Sequence, residues 1–131
     1  MILVDTSIWI DFLIDPRRVL DAEPDLKPYV TCGPVVQEVL QGFSNETAFS
    51  AFRERLLSFK RLSDPLPWER FLDAAEIYRE GRRRGLTIRS TVDCLIAAIA
   101  IHHDVPVWHR DRDFAAIARY TPLRAVSKYV S

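Results

Sequence analysis

The sequence predicts an α/β fold of three layers, in which helices cover both faces of a central, mostly parallel sheet. Short apolar stretches of strand length alternate with stretches of helical periodicity along the chain, a pattern typical of parallel sheets. The length of 131 residues suits one domain, residues 1–131, and an apolar content of 48% is enough for its core.

The first strand and the first helix are predicted at the N-terminus. Met1–Asp5 is a continuous apolar run that ends in an acid. Thr6 and Ser7 follow, and both residue types cap helix N-termini well. The apolar stretch after them predicts a helix, and Pro16 closes this helical region.

A second strand and a short helix come next. Prolines break the chain after Pro16 into a loop or a short helix, and Tyr29–Cys32 then has the composition of a strand. Pro34 suits the first turn of a helix, and the apolar residues after it recur at helical spacing. This helix is predicted to end near Gly42.

Two helices are predicted in the middle of the chain. Asn45 can cap a helix that runs to about Phe59. After two prolines, the amphipathic stretch Trp68–Arg84 predicts a long helix that stops at Gly85.

The last third contains the most apolar helix. Ser90 or Thr91 can cap the stretch V-D-C-L-I-A-A-I-A-I, which is apolar on nearly every side and therefore predicted to be buried. Three further elements follow: a strand at Val105–Trp108, a helix that begins at Arg112 or Asp113, and a strand at Leu123–Val126.

Composition excludes several classes of protein. No apolar run approaches the roughly 20 residues of a membrane span, and no basic residue precedes the apolar N-terminus as in a signal peptide, so a cytosolic protein is expected. Cys32 and Cys94 have no metal-ligand spacing and are predicted to be buried free thiols. The zero net charge hides an asymmetry, because residues 1–50 hold 8 acids against 3 bases.

The candidate functional residues are acids in apolar surroundings. Asp5 ends the first strand and Asp111 follows the strand V-P-V-W, with Asp113 close behind, and ligands of parallel sheets bind at the carboxyl ends of strands. Asp93 is the lone charge in the first turns of the apolar helix, and Glu38 interrupts the short helix V-V-Q-E-V-L-Q-G.

Each acid also has a structural interpretation. Asp5 can form an Asx turn, Asp93 can favour the helix dipole, and Glu38 can be an exposed helical residue. The acids of H-R-D-R-D-F can form a solvated turn with their neighbouring arginines, and Asp113 can cap a helix. Taken together, however, converging carboxylates repel, so either their pKa values rise or a hard cation such as Mg²⁺ or Mn²⁺ binds.

Four segments in order along the chain carry a family resemblance: L-V-D-T-S, V-V-Q-E-V-L-Q-G, S-T-V-D-C-L-I-A-A-I-A and H-R-D-R-D-F. They resemble the PIN domain, and most closely the VapC toxins of bacterial toxin–antitoxin pairs, over essentially the whole chain. The resemblance implies an endoribonuclease dependent on Mg²⁺ or Mn²⁺, with Asp5, Glu38, Asp93 and Asp111 as its acids and Asp113 as a possible fifth metal ligand.

The same resemblance implies further properties. Thr6 or Ser7 would orient Asp5 by hydrogen bonds, and RNA cleavage would leave a 5′-phosphate and a 3′-hydroxyl. It also implies a homodimer and a cognate VapB-like antitoxin. The toxin would inhibit growth through translation, and the antitoxin would neutralise it by laying an arginine across the carboxylates.

Arginines form a second set of candidate residues, for binding RNA. They lie at the end of the long helix and beside the acids: Arg82, Arg83, Arg84, Arg89, Arg110 and Arg112. A solvated helix end is the alternative for the first three. Trp108 or His109 could stack on a base, although Trp108 suits a core position better.

Two other functions remain open from the sequence. One is a phosphatase in which Asp5 is the nucleophile, although such enzymes usually carry a second acid two positions on, where Ser7 stands. The other is a catalytically silent PIN scaffold that only binds RNA or protein, although a silent domain has no reason to keep mutually repelling acids.

Overall fold

A computed structural model of the chain describes residues 1–127. Its strands are β1 (Ile2–Val4), β2 (Tyr29–Cys32), β3 (Arg61–Leu62), β4 (Val107–Trp108) and β5 (Ala125–Val126). Its helices are α1 (Thr6–Ile14), α2 (Pro16–Asp21), α3 (Gly33–Leu40), α4 (Glu46–Leu57), α5 (Glu69–Arg83), α6 (Thr91–His103) and α7 (Arg112–Ala118).

The five strands form one sheet in the order β3-β2-β1-β4-β5, and every neighbouring pair is parallel. The predicted α/β/α fold with a parallel sheet is therefore confirmed. Because β1 lies at the centre, its carboxyl end is flanked by the ends of β2 and β4. Residues that follow these three strands are brought to one edge of the sheet.

The central strand is buried on both faces. Leu3 packs in a cluster that includes Ile96 and Ile99 of α6, while Ile2 and Val4 pack on the opposite face. The alternation of faces along β1 follows from the two-residue period of a strand. Helix α6 is buried along most of its length, as its apolar sequence predicts.

Local signals place most element boundaries correctly. The side chain of Asn45 accepts a hydrogen bond from the amide of Ala48, which is the predicted cap of α4. Ser90, rather than Thr91, caps α6, and Gly85 follows α5 with a positive φ of 76°. Cys32 and Cys94 are buried free thiols, as predicted.

Several elements differ from the sequence prediction. Helix α1 is capped by Asp5 and not by Thr6 or Ser7, which are its first two residues. Helix α1 ends at Ile14, before Pro16, but Pro16 does not end the helical region, because it is the first residue of α2.

Strands β4 and β5 each begin two residues later than predicted, at Val107 and Ala125. Strand β3 is not predicted, since it has only two residues and one of them is Arg61. It forms because Arg61 and Leu62 pair with Thr31 and Cys32 of β2, a contact that no local pattern encodes.

No helix within residues 1–127 has the length and apolar character to cross a membrane.

Candidate metal centre

Asp5 follows β1 and caps α1. Its Oδ2 atom accepts hydrogen bonds from the Ser7 amide at 3.2 Å and from the Ser7 hydroxyl at 2.7 Å. The side chain is buried, with 2% of the residue exposed, and burial raises its pKa to about 6 against the lowering effect of Ser7. The other oxygen, Oδ1, is buried and has no hydrogen-bond partner among residues 1–127.

Asp93 lies in the first turn of α6. Its amide donates to the Ser90 hydroxyl at 3.2 Å, so the capping role belongs to Ser90 and leaves the Asp93 carboxylate free for the site. Burial, together with the charges of Asp5 and Asp111, raises the pKa of Asp93 to about 9. Its Oδ2 atom is a second buried oxygen without a hydrogen-bond partner in the described part of the chain.

Asp111 and Asp113 follow β4 and have different roles. Asp111 caps α7, since its Oδ1 accepts from the Asp113 amide at 3.0 Å, so the structure gives the cap to Asp111 and not to Asp113. Asp113 is buried and accepts from the amides of Arg89 and Ser90 at 3.3 and 3.0 Å. One carboxylate oxygen of each of Asp93, Asp111 and Asp113 lies within 4.8 Å of the others.

Glu38 reaches the same edge from α3. Its Oε1 atom accepts a hydrogen bond from the Thr6 hydroxyl at 3.0 Å, and its charge contributes to raising the pKa of Asp5. The two hydroxyls after β1 therefore serve different acids, because Ser7 bonds to Asp5 whereas Thr6 bonds to Glu38. All five predicted acids are thus tied to one region of the molecule by direct or mutual electrostatic contact.

The donor set suits a hard divalent cation. None of the five carboxylates takes part in an ion pair with another residue of the described range, so no side chain there neutralises them in that way. Two buried carboxylate oxygens also lack hydrogen-bond partners, as described above, and burying such oxygens is costly unless they bind a proton or a cation. Oxygen-only ligands favour Mg²⁺ or Mn²⁺ over Zn²⁺.

Asp11 is a residue of this region that the sequence analysis missed. It lies on α1, is buried, and accepts from Arg110 through both oxygens, at 2.6 Å from Nε and 3.1 Å from Nη2. The amide of Arg110 also donates to the Ser7 hydroxyl at 3.1 Å. The signal was an acid in the apolar stretch I-W-I-D-F-L-I, which has the same character as the position of Asp93.

The predicted RNA-binding arginines form two groups, with Arg110 as an exception. Arg83 and Arg84 pair with Glu80, and Arg82 lies over the ring of Tyr78. Arg89 and Arg112 are exposed beside the acids. Arg110 differs from both groups, because its guanidinium is bonded to Asp11.

The hypothesis that Trp108 or His109 stacks on an RNA base does not fit their burial. Trp108 lies in the core and His109 is 4% exposed. The Nδ1 atom of His109 accepts from the Asp111 amide at 3.0 Å, so this side chain supports the loop that carries Asp111.

Comparison with known proteins gives consistent results. The family model described as "PIN domain" matches residues 2–120 of the sequence. Two relatives are "VapC ribonuclease Mb1587" of Mycobacterium bovis and "Ribonuclease VapC11" of Mycobacterium tuberculosis. Each is 39% identical over 138 aligned positions, which cover 97% of this chain and 98% of the relative.

Solved structures share the fold. VapBC-1 from nontypeable Haemophilus influenzae has a TM-score of 0.74 at 20% identity, with 96% of this chain and 97% of that chain covered. A toxin–antitoxin complex from Klebsiella pneumoniae has a TM-score of 0.70 at 24% identity, with 100% of both chains covered.

Proposed function

This chain belongs to the PIN domain family, within its group of VapC ribonucleases, and from that premise we propose that it is an endoribonuclease toxin that hydrolyses RNA phosphodiester bonds with Mg²⁺ or Mn²⁺. Asp5, Glu38, Asp93 and Asp111 are proposed as the acids that hold the ion, with Asp113 as a fifth. The observation that carries the proposal is this set of carboxylates, two of which have a buried oxygen without a hydrogen-bond partner in the described range.

The chain's own residues prepare the site for the reaction. Ser7 holds Oδ2 of Asp5 and leaves Oδ1 free for a ligand, while Thr6 holds Oε1 of Glu38. Because its pKa is raised to about 9, the carboxyl group of Asp93 keeps a proton at neutral pH when no ion is bound. Binding of a divalent cation would displace that proton. A divalent ion bound here supplies Lewis-acid activation of water and charge neutralisation at the scissile phosphate.

A cleavage assay with matched variants tests this function. Purified wild-type protein is incubated with total RNA, and new 5′ ends are mapped with EDTA, with Mg²⁺ and with Mn²⁺. We expect cleavage only with a divalent ion, and a loss of several orders of magnitude for Asp93→Asn. Asp21→Asn removes an exposed acid of α2 and is the control that retains cleavage. Undiminished cleavage in excess EDTA contradicts the proposal, and an acyl-phosphate trapped on Asp5 identifies the phosphatase instead.

An antitoxin of the VapB type is the proposed protein partner. The structure offers an apolar surface for such a partner, a cavity of about 210 Å³ whose lining includes Trp9 and Phe12 of α1 and Phe59, which follows α4. Leu20 lines the same cavity and is largely exposed. An arginine from the partner could neutralise the acids directly, because no residue of the described range pairs with them.

A homodimer and a cytosolic location complete the proposal. Trp68, Phe71 and Leu72 at the start of α5 are more than half exposed, which gives this face an apolar patch suited to a second copy. Light scattering of the purified protein tests the dimer, and Phe71→Glu should shift it to a monomer. A wild-type monomer at micromolar concentration contradicts it.

A further inference from the structure

An open cleft lies beside the acids, between the turn that follows α5 and the exposed side of α7. Its volume is about 370 Å³, and its lining includes Thr87, Arg89, Arg112, Asp113 and Arg119. We call it the arginine cleft. Arg119 was not among the arginines selected from the sequence, because it lies at the C-terminal cap of α7, away from the acidic motif.

The three arginines of the cleft differ from those of α5. Arg79, Arg83 and Arg84 pair with glutamates of their own helix. Arg89, Arg112 and Arg119 are exposed residues, and their guanidinium groups form no ion pair or hydrogen bond with another residue in the range 1–127. Three unpaired like charges around one cleft repel one another, and an anion in the cleft relieves that repulsion.

The position of the cleft relative to the acids is held by Asp113. This carboxylate lines the cleft and accepts hydrogen bonds from the backbone amides of Arg89 and Ser90. It therefore fixes the wall of the cleft that carries Arg89. Asp113 also lies on the first turn of α7, which begins at Arg112 and is capped by Arg119. One of its carboxylate oxygens lies within 4.8 Å of an oxygen of Asp93 and of Asp111. A phosphate bound in the cleft would therefore be a neighbour of the phosphate that is cleaved at the acids.

We propose that the arginine cleft binds phosphates of the RNA strand next to the bond that is cut, with Arg89, Arg112 and Arg119 as the phosphate ligands. This inference rests on the proposed ribonuclease function and names a substrate subsite for it. Guanidinium groups bind phosphate oxygens in a planar, bidentate geometry. No aromatic side chain lines the cleft, so it contacts the backbone and not the bases, and its contribution is independent of sequence.

The salt dependence of RNA binding tests the cleft separately from cleavage. Binding of a fluorescently labelled 12-nucleotide single-stranded RNA is measured in EDTA at several salt concentrations. Each lost phosphate contact lowers the slope of log affinity against log salt by about 0.7 for a single strand. The Arg112→Gln, Arg119→Gln double variant should therefore lose about 1.4 from the slope, and adding Arg89→Gln should remove about 0.7 more.

Two controls make the test specific. Arg17→Gln with Arg53→Gln removes the same charge from exposed positions of α2 and α4 and should leave the slope unchanged. Arg112→Lys with Arg119→Lys keeps the charge and should restore the slope, which a loss through misfolding would not do. A slope that falls equally in the control pair, or that does not fall in the cleft variant, overturns the subsite.

The outcomes also separate this inference from the proposed function. If wild-type protein cuts RNA and the cleft variant binds with an unchanged slope, the ribonuclease stands and the subsite fails. If the slope falls as expected but no divalent ion supports cleavage by the wild type, the cleft binds RNA and the ribonuclease fails. An absence of measurable RNA binding by the wild type overturns the subsite.

Discussion

Arg110 is bonded to Asp11 through two separate atoms, Nε to Oδ2 at 2.6 Å and Nη2 to Oδ1 at 3.1 Å, although the two residues are 99 positions apart. The pair connects α1 to the loop that carries Asp111. The Ser7 hydroxyl makes a second connection, because it donates to Asp5 and accepts from the Arg110 amide. The acids that follow β1 and β4 are therefore held in register by side chains that do not belong to the acidic cluster.

We predict that Asp11→Asn lowers RNA cleavage by about 10- to 100-fold, because the Asp111 loop loses its two-point contact with α1 and the acids shift relative to one another. The free energy of unfolding should fall by about 2 kcal/mol, since Arg110 loses a charge-assisted hydrogen bond. Arg110→Gln should cause a similar loss of cleavage, and the double variant should be little worse than either single variant. Losses that simply add would show that the residues act independently, and Asp21→Asn is the control.

The free energy of unfolding in EDTA should rise for Asp93→Asn, by about 1 kcal/mol, or about 4 °C in melting temperature. The folded protein must keep Asp93 protonated because of its raised pKa, and the substitution removes the free-energy cost of taking up that proton. It also keeps the backbone amide that donates to Ser90. Asp5→Asn should behave similarly, and Asp113→Asn should show smaller changes in both stability and cleavage. A lower melting temperature for Asp93→Asn, with cleavage at the wild-type rate, would mean that the acidic cluster is structural.

Stability in EDTA should decrease as pH rises from about 4 to about 9. The folded protein keeps protons on Asp93, with a pKa of about 9, and on Asp5, with a pKa of about 6, whereas the unfolded chain releases them near the usual value of 3.8. The folded state therefore binds more protons in this range, so stability falls with rising pH. The gain from Asp93→Asn should be larger at pH 8 than at pH 5, as measured by chemical denaturation. An equal gain at both pH values would contradict the raised pKa.

Addition of Mg²⁺ or Mn²⁺ should raise the melting temperature of the wild type more than that of Asp93→Asn. A ligand that binds only the folded state raises the free energy of unfolding, and this gain depends on the ratio of the ligand concentration to the dissociation constant. A protein that binds the ion more tightly therefore gains more stability at the same ion concentration. The variant has one fewer anionic ligand and binds more weakly. Titrations followed by differential scanning fluorimetry measure the difference, and equal shifts in both proteins would place the ion elsewhere.

An arginine of the antitoxin should inhibit cleavage by occupying the acidic site. We expect that an Arg→Ala change in the antitoxin segment that reaches the acids relieves inhibition more than it weakens the complex, because the cavity proposed as the main docking surface is apolar and lies apart from that arginine's contact. Binding is measured by calorimetry and inhibition by the cleavage assay. Equal losses in affinity and inhibition would indicate that the partner only blocks access to the site.

The fold class could be predicted from the sequence, and the same local patterns singled out the acids as candidate site residues. The apolar run before Asp5 and the apolar helix around Asp93 are local patterns that specify burial, and burial makes a carboxylate conspicuous. Caps such as Asn45 and Ser90 are equally local, because a capping side chain bonds to an amide two or three positions away. These features depend on neighbours along the chain, so periodicity and residue type were sufficient.

The side chains that support the acids could not be predicted from the sequence, because they meet only in the folded chain. Three features depend on partners 30 or more positions away along the chain. They are the contacts of the Thr6 and Ser7 hydroxyls, the pairing of Asp11 with Arg110, and the strand at Arg61–Leu62. The structure also separated the arginines that pair with Glu80 from those that line the arginine cleft, and it added Arg119 to the second group. Such contacts arise when parallel strands bring distant segments to one edge of the sheet, and no local pattern records which segments meet there.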